Sequence, residues 1–93
     1  MILHIGNKEM VFLKDIVAII RYDALMLGKE GKSYVNERKA NKQFYDISGG
    51  RQNTLVVLSD GTCYLTAISA QTLLKRYEEG GLGLMDEDAP DPT

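Results

Sequence analysis

Few side chains in this sequence could do chemistry. One histidine, His4, and one cysteine, Cys63, stand far apart, with no Cys or Asp at metal-ligand spacing. No Gly-x-Ser-x-Gly elbow is present, and Gly49-Gly50 lacks the Lys-Ser/Thr that completes a phosphate-binding P-loop. The pattern therefore predicts no enzyme, no metal and no cofactor. The cations are more informative. Lys29, Lys32, Arg38, Lys39, Lys42 and Arg51 fall in one stretch with only Glu30, Glu37 and Asp46 against them. Arg51 differs from the rest because it lies in Gly-Gly-Arg-Gln-Asn, where the glycines allow close backbone approach and the neighbours all form hydrogen bonds. Such a loop suits a phosphate. An exposed arginine in an ordinary turn, and lysines on the solvated face of a helix, are the competing readings.

The elements that must position these cations follow from the patterning. Residues 54–58 and 62–66 are strand-favouring runs separated by Ser59-Asp60-Gly61, which predicts a hairpin closed by a type I′ turn at Asp-Gly. That register pairs Leu58 with Cys63 and Val56 with Leu65, turning Cys63 inward as a small hydrophobe. Both hairpin faces come out largely apolar, so one of them needs a second cover, from a helix or from a neighbouring subunit. Upstream, residues 2–5 and 10–13 form a first hairpin around Gly6-Asn7, and the β-branched run 16–22 reads as a buried central strand. Gly28 and Gly31 with their charges read as a loop, after which Ser33 caps a helix over residues 34–42. Residues 44–47 form a short strand. Ser69 caps a last helix over residues 70–79, with Leu73, Leu74 and Tyr77 on one face and Gly80-Gly81 as its stop. The fold class predicted is α+β, an antiparallel sheet of five to six short strands with two helices.

The chain of 93 residues is 44% hydrophobic and 26% charged, the composition of a globular protein with a modest core that self-association would help. Its longest apolar run, residues 16–20, is far too short to span a membrane, and the N-terminus lacks the pattern of a signal peptide. With a single cysteine, the expected compartment is the reducing cytoplasm. The net charge of −2 conceals an asymmetry. Residues 1–77 hold eleven bases against seven acids, whereas residues 78–93 hold six acids and no base. The domain expected is residues 1–80, followed by a flexible acidic tail, 81–93, that competes for the basic surface.

Several short motifs occur in an order that carries a resemblance: Met-Ile-Leu-His-Ile-Gly at 1–6, Lys-Asp-Ile-Val-Ala-Ile-Ile at 14–20, the Gly-Arg pair at 50–51, Leu-Val-Val-Leu at 55–58, and Tyr-Leu-Thr-Ala-Ile-Ser-Ala-Gln-Thr-Leu at 64–73. Over residues 1–77 the chain resembles the RemA/RemB family of bacterial extracellular-matrix (biofilm) gene regulators, more closely the RemB branch. The resemblance implies a non-enzymatic protein that binds double-stranded DNA along the basic surface of a homo-oligomeric ring. In the RemA branch the loop reads like Gly-Arg-Arg-Thr-Arg, and its arginines are implicated in DNA contact. Here Gly50 and Asn53 replace two of them and Arg51 remains, while a further DNA-linked arginine of that branch falls at Asp15, beside Lys14. The DNA-binding candidates are thus Arg51 first, then Lys14, Arg38, Lys39 and Lys42. The alternative is a protein-interaction or structural module on the same scaffold that has lost most of its DNA site.

Overall fold

A computed structural model of the chain describes residues 1–80; the acidic stretch 81–93, expected to be a flexible tail, lies outside the described residues. The order of elements is β1 (Ile2–Gly6), β2 (Glu9–Phe12), a 3-10 turn (Leu13–Asp15), β3 (Ile16–Arg21), α1 (Tyr22–Leu25), α2 (Lys29–Ala40), β4 (Phe44–Asp46), β5 (Thr54–Leu58), β6 (Cys63–Thr66) and α3 (Ala70–Glu78). The fold is α+β. β1 and β2 form a two-stranded sheet, and the other four strands form a second in the order β3-β5-β6-β4. One pair in it, β4 with β6, is parallel, because the chain crosses from β4 to β5 through the 47–53 loop instead of a tight turn.

The central hairpin differs from expectation in its turn. Leu58 N donates to the Thr62 carbonyl at 2.8 Å and Gly61 N to the Leu58 carbonyl at 2.9 Å, so the loop has three residues. Only Gly61 takes a positive φ, +93°. This is a turn followed by a glycine bulge, stabilised by Asp60 Oδ1 accepting from Thr62 N at 2.9 Å. The type I′ geometry occurs instead in the first hairpin, where Asn7 and Lys8 have φ of 49° and 63°. The extra loop residue shifts the register by one, pairing Val57 with Cys63, Val56 with Tyr64 and Leu55 with Leu65.

Both faces of the four-stranded sheet are covered by the same chain, so of the two covers expected, a helix or a neighbouring subunit, the helix is the one found. Leu55, Val57, Cys63 and Leu65 pack with Val35 of α2 and with Tyr22 and Leu25 of α1. On the opposite face Val56 packs with Leu3, Ile5 and Val11 of the first hairpin and Leu73 of α3. The first cover begins earlier than expected: Gly28 is the N-cap of α2, and Gly31 lies inside the helix. A Cβ at Gly31 would overlap the Leu25 carbonyl, so glycine there serves the close approach of α2 to α1 and does not mark a loop.

The β-branched run is likewise not central. β3 pairs only with β5 and forms an edge of the sheet, with a bulge between Ile16 and Ala18 that leaves Val17 62% exposed. A one-face-buried edge strand and a two-face-buried central strand carry similar apolar runs, and only the long-range pairing separates them. α3 forms as expected, with Ser69 Oγ accepting from Thr72 N at 3.1 Å. Of its apolar face Leu73 is buried, whereas Leu74 and Tyr77 stay exposed beside β3.

Candidate nucleic-acid interface

The sheet has two ends, and the cations divide between them. One end is marked by the Asp60 turn. There the Asp15 carbonyl accepts from Ser59 N at 2.8 Å, which places the 3-10 turn and Lys14 beside it. Gln43 Nε2 donates to the Asp60 carbonyl at 3.0 Å, which fixes the end of α2 and the start of β4 there too. The other end holds the 47–53 loop, because Arg21 pairs with Thr54 and Tyr22 N donates to the Asn53 carbonyl at 2.9 Å. β5 runs between them, and its five residues separate the ends by roughly 17 Å.

Four of the five candidates therefore gather at the turn end, and Arg51 is not among them. Arg38 is engaged in packing: its guanidinium donates to Glu37 Oε1 and, at 2.8 Å, to Gln43 Oε1, and lies 5.3 Å from the Tyr34 ring centre. Only 18% of its side chain is exposed. The Lys39 ammonium sits 5.0 Å over Phe44 and that of Lys14 5.8 Å over Phe12. Lys42 follows the helix with φ of 60° and is exposed. Lysine over an aromatic ring keeps a hydrated face and can still meet a phosphate, but a doubly bonded arginine packed on an aromatic ring is a structural group.

At the loop end the geometry is more open. Asp46 builds the loop: its Oδ1 accepts from the Ser48 hydroxyl at 2.6 Å and from Ser48 N at 2.9 Å, while Ser48 Oγ accepts from Gly50 N at 3.2 Å. The Ser48 hydroxyl and amide hold the Asp46 carboxyl below the usual carboxylate range. Gly49 and Gly50 take φ of 63° and 94°, with nothing within 4 Å of where a Cβ would stand. Side chains at these positions would be strained, so a second arginine at Gly50 would cost backbone energy. Arg51 itself is exposed. Asn53, the other departure from the RemA-type loop, holds the fold together at this point. Its Nδ2 donates to the Ala67 carbonyl at 2.7 Å and ties the loop to the segment before α3.

That tie produces a cleft of about 500 Å³ lined by Arg21, Asp23, Gln52, Asn53 and the first turn of α3 at Ser69, Ala70 and Gln71. The first intrahelical bond of α3 is Leu73 N to the Ser69 carbonyl, and Ser69 Oγ takes the Thr72 amide. The amides of Ala70 and Gln71 thus have no acceptor within the helix, and the positive end of its dipole faces the cleft. Arg21, which was not among the sequence candidates, pairs with Asp23 at 3.0 Å, both side chains 70% exposed. Such a surface pair contributes little and opens readily to a phosphate. Arg21 ends the β3 run, and nothing local in the sequence shows that β3 lies beside the Arg51 loop.

The rest of the molecule offers less for chemistry. Cys63 is fully buried, and burial pushes its thiol up from the ordinary value, keeping it protonated. His4 sits in β1 opposite Met10, and its carbonyl accepts from Arg76 Nη1 at 3.0 Å. Among the described residues no group of three His, Cys, Asp or Glu gathers to hold a metal, and no helix is long and apolar enough to cross a membrane.

Comparison with known proteins identifies the family. Residues 2–77 match the family described as RemA-like, extracellular matrix regulatory protein A-like. The chain belongs to the RemA-like family. It is also similar, at 29% identity over 93 residues, to a protein of Leptospira biflexa serovar Patoc that carries the name of a regulatory protein; the match covers 97% of this chain and 95% of the relative. The matched region takes in every strand among the described residues and all but the final residue of α3, so the Arg51 loop and the Arg21 cleft both lie within it.

Proposed function

We propose that this RemA-like protein is a non-enzymatic, DNA-binding transcriptional regulator of the extracellular-matrix type, working in the cytoplasm as a homo-oligomeric ring. The regulatory role follows from the family. The observation that supports DNA as the target is the loop end of the sheet, where Arg21 and the free amides of α3 line an open cleft and Arg51 stands exposed in the adjoining loop. Each element is a phosphate-binding group in its own right. One subunit neutralises only one or two phosphates there, which gives weak binding alone. A ring repeats the contact along one duplex, and linked contacts raise affinity by roughly 10² to 10⁴ without any new interaction.

Fluorescence anisotropy with duplex DNA at two salt concentrations tests this reading. Binding that weakens with salt, and that Arg51→Ala reduces while leaving the circular dichroism spectrum intact, is the expected result. No binding at low salt would remove DNA as the target.

A second reading, a protein-interaction module on the same scaffold, is favoured by a separate observation. Met10 and Phe12 on the outer face of the first hairpin are more than half exposed. Protein retained in pull-downs, with no retention on a heparin column, would support it. The closer kinship to the RemB branch rests on the sequence resemblance and belongs with this proposal.

A further inference from the structure

Two grooves lie in succession between the exposed edge of β3 and the neighbouring α3. α3 runs antiparallel to β3: its Ser69 end stands beside Arg21 and Asp23, and its Leu74 and Tyr77 stand beside residues 16–19. The second groove, of about 220 Å³, is lined by Ile16, Val17, Ala18, Ile19, Leu74 and Tyr77. Val17, Leu74 and Tyr77 are 62%, 49% and 39% exposed. The surface is therefore apolar at one end and, at the other, carries Arg21 with its partner Asp23 and the helix amides.

The chain leaves the described residues at the apolar end. Gly80 N donates to the Tyr77 carbonyl at 3.0 Å, and its φ of 66° turns the backbone out of the helix. The sequence that follows has the same order of polarity as this surface. Leu82, Leu84 and Met85 come first, and then Asp86, Glu87 and Asp88. Extended chain covers about 3.3 Å per residue, so residues 81–85 reach roughly 17 Å, the length of β3 from Ile16 to Arg21. The acids would arrive where Arg21 and the helix amides are. The bulge at Val17 breaks the regular ladder of the edge, which disfavours addition of another subunit's strand and leaves a groove for side chains.

We propose that these two grooves are the seat of the chain's own segment 82–88, with Leu82, Leu84 and Met85 over Val17, Leu74 and Tyr77 and with the carboxylates of residues 86–88 displacing Asp23 from Arg21 and meeting the Ala70 and Gln71 amides. A tethered segment competes at an effective concentration of about the millimolar range. The carboxylates occupy the cleft where the phosphate of DNA would bind, so the segment lowers non-specific binding and yields to a duplex that engages several subunits. The competition, unlike the docking, rests on the DNA reading above.

A nitroxide on Ala89→Cys in the full chain tests the docking, since Cys63 is fully buried. Amide signals of Arg21, Asn53 and Gln71 should broaden strongly, and Leu82→Ser with Leu84→Ser should restore them. Unbroadened signals at those three positions would overturn the proposal. Broadening seen only when labelled and isotope-enriched chains are mixed would assign the grooves to a second copy and would also overturn it. The competition has its own measurement: D86N, E87Q and D88N together should tighten duplex binding at least threefold at low salt. Unchanged affinity with a docked segment would refute the competition alone, and absence of DNA binding in every form would refute the DNA reading while the nitroxide result stands.

Discussion

The two ends of the four-stranded sheet carry the same residue types and use them differently. At the turn end, Arg38 is spent on Glu37, Gln43 and the Tyr34 ring, and Lys39 and Lys14 lie over Phe44 and Phe12. At the loop end, Arg51 and Arg21 are exposed beside a glycine-shaped loop and a helix N-terminus. The turn end has more cations, yet only the loop end sets one beside the open first turn of a helix. A cation's surroundings decide its role: desolvated and doubly bonded, it holds the fold; exposed near unsatisfied amides, it can recognise a phosphate.

Mutations at the two ends should therefore separate binding from stability. The largest effect is expected from Arg51→Ala, which should weaken duplex binding roughly tenfold or more because a ring multiplies the loss, with Tm unchanged in a thermal melt. Arg38→Ala should do the reverse, lowering Tm by roughly 5 °C through lost hydrogen bonds and packing, with DNA affinity per folded molecule preserved. Comparable losses of affinity in both variants would break the distinction.

A smaller effect concerns the loop's own support. The Asp46 carboxyl is held below its ordinary value of 3.8 by the Ser48 hydroxyl and amide. Its stabilising contribution is fully present above that ordinary value and is lost as pH falls through the lowered one. Amide resonances of residues 48–51 should thus be constant from neutral pH to about 4 and move together below it, and Asp46→Ala should abolish that step. The smallest effect is expected from Lys14→Ala and Lys42→Ala, each changing affinity by roughly twofold or less.

Much of the fold was legible in the sequence because it rests on local signals. Ser69 with Gly80 bounded α3, Asn7 marked the first hairpin, and the runs 54–58 and 62–66 marked the second. What was not legible depended on contacts distant in sequence. The single extra residue in the Ser59-Asp60-Gly61 loop moved the register by one, since Asp60 uses its carboxylate on Thr62 instead of adopting a positive φ. Gly31 looked like a loop residue because the Leu25 carbonyl it accommodates is invisible without the packing of α1.

The candidate site divides in the same way. Arg51 stood out because Gly49 and Gly50 precede it, a local signal. Arg21 joined it only through the pairing of β3 with β5, which no neighbouring residue announces. Arg38 was drawn in by its charge, and its burial under Tyr34 and Gln43 is again a matter of packing.

The division between the two ends is tested most directly by the salt dependence of duplex binding, measured in parallel for the wild type, Arg51→Ala and the double variant Lys39→Ala/Lys42→Ala. Each phosphate contact contributes about −0.9 to the slope of log affinity against log salt. The Arg51 variant should flatten that slope by about 0.9 for every engaged subunit, and the double lysine variant should leave it nearly unchanged. A slope that flattens with the lysines and not with Arg51 would place the DNA at the turn end and contradict the account.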